Sequence, residues 1–162
     1  MGLIHAEEYR VLNFGSQVIK TTAAFPQTAT SNLFTVAGGI CLVTSFFGIV
    51  TTVVAGTDPQ LTLGTAPASG TAEVAGIASS TALTSAEVGT LITVQPSSGK
   101  PGALVVMASA AKAGNAVYPP GSGGFLVNTG HITQTTGASE TGAVSWYLTY
   151  VPMDTGAYIT AA

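Results

Sequence analysis

The sequence is short of charge. Of its 162 residues only 4 are Lys or Arg and 7 are Asp or Glu, 7% in all, where an ordinary soluble domain carries about 25%. Four cations and a formal net charge of −3 cannot furnish the phosphate contacts on which nucleic-acid binding depends, so no nucleic-acid partner is expected. Cysteine is scarcer still. Cys41 stands alone, which excludes a disulfide framework within the chain. The two histidines, His5 and His131, lie far apart with no carboxylate pattern around either, so no metal site is expected. Nor is this the composition of a disordered chain. Disorder combines low hydrophobicity with high net charge, and here 46% of the residues are hydrophobic.

Thr, Ser, Ala and 20 Gly fill the places that charge leaves empty. The charges that exist crowd the start of the chain: Glu7, Glu8, Arg10 and Lys20 precede a long, nearly neutral remainder. Asp58, Glu73, Glu87, Lys100, Lys112, Glu140 and Asp154 are scattered through that remainder. A lone domain normally keeps a charged coat for solubility. A surface this neutral suits a chain that other chains cover, and a closed homo-oligomer, most simply a trimer, is expected.

The uncharged run 33–56 (LFTVAGGICLVTSFFGIVTTVVAG) is long enough to raise the question of a membrane span. Its chemistry answers otherwise. Gly38-Gly39 interrupts it, Val, Ile, Thr and Phe dominate it, and no Lys or Arg flanks it. Three short strands, 33–37, 40–46 and 48–55, broken by the Gly pair and by Gly48, are the expectation, with no membrane partner. The opening MGLIHAEEYR lacks the basic and apolar regions of a secretory signal. Ala6 stands where myristoylation needs Ser or Thr.

Further strands are expected at 60–64, 72–78, 88–95, 103–108, 124–128, 130–136, 143–151 and 157–161, with Pro- and Gly-rich turns between them. Strands recurring every 8–12 residues or so with turn signals between them predict an all-β fold, an antiparallel β-sandwich or barrel of jelly-roll or tulip-like type. Residues 33–162 then form a single β domain. Residues 1–32 form an N-terminal arm, expected to be extended because Asn13, Gly15 and Ser16 would stop a helix early. The clearest strand is 143–151. Val144, Trp146, Leu148 and Tyr150 share one face of it and are the expected core anchors. Pro152 then ends the ladder.

Catalytic machinery is not legible. Cys41, between Ile40 and Leu42, is expected to be a small buried hydrophobe, with no cation nearby in sequence to depress its pKa. Gly99-Lys100 approaches a phosphate loop, but Pro101 takes the Ser/Thr position. The run 121–124 (GSGG) lacks the strand and helix that flank a nucleophile elbow. The carboxylates form no pair. The chain is expected to be no enzyme and to need no cofactor.

Three stretches carry a resemblance. Residues 33–39 (LFTVAGG), 48–52 (GIVTT) and 141–157 (TGAVSWYLTYVPMDTGA) resemble small structural proteins of tailed bacteriophages, where similar segments recur at similar spacing. The middle of the chain is similar only in its Thr/Ala/Val texture. The resemblance implies a virion component on the capsid surface: a decoration or cement protein that sits over capsomer junctions, often as a trimer, with the major capsid protein as partner. The arm, with Leu3, Ile4, Glu7, Glu8, Tyr9 and Arg10, is the expected docking element because it gathers the charge. Alternatives are a head-fibre or tail-tip module that engages a host surface, and a tail-tube role. No repeat or coiled-coil stalk is present to build a long fibre.

Overall fold

The computed structural model describes residues 6–26, 29–56, 59–83, 86–97, 100–106, 124–137 and 141–162. One helix, α1 (Ala6–Phe14), precedes eleven strands. These are β1 (Ser16–Ala24), β2 (Thr30–Ala37), β3 (Cys41–Ala55), β4 (Gln60–Pro67), β5 (Glu73–Ala82), β6 (Leu91–Ser97), β7 (Lys100–Val106), β8 (Phe125–Val127), β9 (Gly130–Thr136), β10 (Thr141–Pro152) and β11 (Tyr158–Ala161). The fold is the expected all-β sandwich. Its first sheet runs β1-β10-β3-β6-β7, with β8 on the far half of β3; the second runs β5-β4-β9-β2-β11. Among the described residues every pairing is antiparallel except one bridge, Ala78 to Gly102, where β5 meets β7 and joins the sheets. At the opposite edge the Lys20 ammonium of β1 donates to the backbone oxygen of Ala162, just beyond β11.

The core is the space between the sheets. Leu33, Phe34, Val43, Val50, Leu61, Leu63, Ile92 and Ile132 are fully buried there. Val144, Trp146 and Leu148 are also fully buried, and Tyr150 keeps 7% exposure, so the apolar face read from 143–151 is the face that packs. The ring of Phe46 lies 5.2 Å from that of Trp146 and 6.0 Å from that of Phe34, which links the two sheets through aromatic contacts.

Two expectations are corrected. Gly48 does not break a strand: β3 runs unbroken from Cys41 to Ala55. Gly48 pairs with Trp146 across the ladder. A Cβ placed there would lie 2.6 Å from Val144 Cγ1 and 2.9 Å from the Trp146 ring. The glycine makes room for the indole rather than for a turn. The second correction concerns the extended arm. Residues 6–14 are helical and residues 16–24 are the edge strand β1, paired with β10 from Ser16↔Tyr150 to Ala24↔Ala143. The domain boundary at 32 therefore falls inside β2, and β1 belongs to the sandwich.

Candidate functional surface

The helix α1 is the first element to consider, since it holds the residues expected to dock. Glu7, Glu8, Tyr9 and Arg10 follow one another in α1, and Glu8 is exposed. Leu3 and Ile4 lie outside the described residues. The stop signals that argued against a helix in fact terminate one. Gly15, at φ 88°, is the left-handed residue after the last turn, and its N–H donates to the Val11 carbonyl at 2.9 Å. A side chain at Gly15 would strike the Tyr150 carbonyl oxygen at 2.3 Å. The Thr44 hydroxyl donates to the Phe14 carbonyl at 3.4 Å. The end of α1 is thus set down on β10 and β3.

The three stretches that resemble phage structural proteins also come together. They supply most of β2, residues 48–52 of β3, all of β10 and the turn before β11. Gly38-Gly39 at the end of β2 meets Asp154 and Gly156 after β10. Asp154 Oδ2 accepts from the Ile40 N–H at 2.7 Å, and the Met153 N–H donates to the Ile40 carbonyl at 2.9 Å. Gly38, at φ 76°, lies so close that a Cβ would sit 2.1 Å from the Gly156 carbonyl oxygen. Asp154 also carries its own turn, with the Ala157 N–H donating to its carbonyl at 3.1 Å. These motif residues clamp one end of the sandwich.

The two outer faces differ in chemistry. On the second sheet, Thr30 pairs with Thr135 and Thr135 with Thr62, while Thr35 pairs with His131. The Thr30 and Thr135 hydroxyls are 2.7 Å apart, and the Thr35 hydroxyl lies 3.3 Å from His131 Nδ1. That face is coated with hydroxyls. The outer face of the first sheet carries two largely apolar rows with the polar row Gln17, Thr149 and Ser45 between them. Val151 pairs with Leu42 and Leu42 with Leu126 in one row, with Ile40 and Met153 beside it. Ile19, Tyr147, Phe47 and Thr93 make a second row across four strands. In it the Phe47 and Tyr147 rings stack 5.0 Å apart at an interplanar angle of 5°. The strands β3, β6, β8 and β10 contain no Asp, Glu, Lys or Arg. The alternation in 143–151 also puts Ser145, Tyr147, Thr149 and Val151 together on the opposite face, to which the sequence alone assigns no role. The signal was there, since Tyr and Val on the solvent side of a strand already break the polar-out pattern.

Cys41 is buried, and its thiol is pushed above its ordinary value of 9.0, chiefly by burial and then by the negative charge of Asp154. Among the described residues no three His, Cys, Asp or Glu side chains gather as metal ligands would. Among the same residues no helix is long and apolar enough to cross a membrane. Comparison of the chain with family models, curated proteins and solved structures finds no match.

Proposed function

We propose that the chain is a structural component of a virion: a capsid decoration or cement protein that binds the major capsid protein at capsomer junctions, as a homotrimer. The reading rests on the resemblance of residues 33–39, 48–52 and 141–157 to phage structural proteins, and on one observation of the surface. Charge is concentrated on α1, while β3 and β10, on which the helix ends, carry none. Charged groups at the rim of a contact govern encounter and register. The helix gathers Glu7, Glu8 and Arg10 into one element. In this reading α1 meets the shell, and the sandwich supplies a rigid, neutral body that bridges neighbouring capsomers.

The test uses particles stripped of this protein. Full-length chain should rebind them, and a chain lacking residues 1–13 should fold normally yet fail to rebind. Unchanged binding by the shortened chain would move the contact from α1 to the sandwich. Failure of the full-length chain to bind would end the capsid reading. Copy number per particle separates the roles further. Hundreds of copies accord with cement, and a few dozen with a fibre or vertex protein that meets a host surface.

A further inference from the structure

We infer that the outer face of the first sheet, from the Met153–Ile40 end to the stacked rings of Phe47 and Tyr147, is where copies of this chain contact one another. The proposal locates the oligomer interface, and it rests on the reading above only for the premise that copies associate. The first argument is area. Leu126 is 64% exposed and Met153 56%, with Ile40, Val151 and Ile19 near four-tenths. Together these side chains leave on the order of several hundred Å² of apolar surface uncovered, the upper end of what a free monomer shows. The row between them, Gln17, Thr149 and Ser45, is polar but uncharged and adds contact area toward the ~800 Å² per partner of a standard interface.

The second argument is charge. The only ion on the strands β1, β10, β3, β6 and β8 is Lys20, and its ammonium is turned to the backbone oxygen of Ala162. A partner of ordinary composition would bring charges to this face, and each would be desolvated with nothing to pair with. A second copy brings the same uncharged chemistry and costs no such desolvation. In a closed cyclic arrangement each copy turns this uncharged face toward its neighbours about the axis, so both sides of the contact lack ions. The hydroxyl-coated face of the second sheet stays in water.

The experiment is sedimentation of the full chain at micromolar concentration, away from any particle. The wild type should run as a multiple of 16.1 kDa. The pair Leu126→Glu with Met153→Glu, and the pair Leu126→Lys with Met153→Lys, should each run as the single chain with unchanged far-ultraviolet circular dichroism. Val74→Glu, at a 53% exposed position on β5, should leave the oligomer intact. A wild type that runs as a single chain overturns the proposal, as does a Glu pair or a Lys pair that still assembles. Should the Glu pair unfold the chain, Leu126→Ser with Met153→Ser takes its place, with the same loss of oligomer expected. Binding to stripped particles is measured separately on each species, so loss of the interface and loss of the capsid reading give different results.

Discussion

The indole N–H of Trp146 donates to Gln134 Oε1 at 3.2 Å, although both side chains are fully buried. Gln134 Nε2 in turn donates to the Ala24 carbonyl at 3.0 Å. One amide on β9 therefore reaches across the core to β10 and to the end of β1. This polar bridge through an apolar interior joins the N-terminal strand to the second sheet, beside the β1–β10 ladder and the Lys20–Ala162 contact. Replacing Gln134 by Leu would orphan the fully buried indole N–H, at about 1–3 kcal/mol, while the exposed Ala24 can turn its carbonyl to water. Urea unfolding of Gln134→Leu should show a loss of about 1–3 kcal/mol. An unchanged midpoint would mean that the bridge contributes nothing to stability.

Trp146→Ala should destabilise the chain by about 3–5 kcal/mol, the usual range for deleting a buried aromatic. Gly48→Ala should also destabilise it, by about 1–3 kcal/mol, because the added methyl enters space held by the indole and Val144. The two positions are neighbours across the ladder, so their effects should not add. In Gly48→Ala combined with Val144→Ala, the second substitution should cost less than it does alone. Strict additivity in a double-mutant cycle would refute the packing account of Gly48.

At the clamped end, Asp154→Ala removes the acceptor for the Ile40 N–H. Because Asp154 is exposed, the loss should be modest, about 1 kcal/mol, at the low end for a bond to a charged acceptor. Gly38→Ala should cost more, since it combines a positive φ with a contact of 2.1 Å to backbone that cannot move aside. Thermal melts of the two variants give the order directly. Equal Tm values would show that the clamp is not rigid.

Cys41 should be inert in the folded chain. A thiol reagent at pH 8 should leave native protein unlabelled and should titrate one thiol in urea, since the side chain is fully buried. The pKa shift also has a sign for stability. The folded thiol holds its proton above the ordinary value of 9.0, so the folded state binds more protons than the unfolded state once pH passes that value. Stability from this group is complete below about pH 9 and falls as pH rises toward the folded pKa. Cys41→Ser should flatten that alkaline slope. A slope unaltered by the substitution would assign it to other groups.

Much of the architecture was readable residue by residue, because strands advertise themselves through period and punctuation. The alternation in 143–151, the β-branched runs and the Pro- and Gly-rich turns are local features, and local features survive in a sequence. The residues of the N-terminal segment were misread for the same reason. In β1 (SQVIKTTAA) the polar Gln17, Lys20 and Thr21 diluted the pattern, and only the unpaired edge of β10 explains why that segment is a strand. The turn at Gly15 was visible as a helix stop, but a stop does not say whether a helix precedes it. That depended on somewhere for the helix end to rest, which Tyr150 and Thr44 provide. Of the residues expected to dock, Glu7, Glu8, Tyr9 and Arg10 are in one short helix, and the largely apolar rows on the outer face of the first sheet were not foreseen.

The sequence by itself determined that this is an all-β chain with very little charge and that Val144, Trp146, Leu148 and Tyr150 lie on one strand face. Composition and a period of two are enough for that, since they depend only on near neighbours along the chain. Tertiary structure alone decided why Gly48 is a glycine, why Gln134 is buried, and which outer face carries the apolar rows. Each depends on a partner more than ten residues away: Trp146 over Gly48, Trp146 and Ala24 on Gln134, and Leu42 between Val151 and Leu126. Pairing register sets those contacts, and a shift of one residue would turn every side chain of a strand to the other face.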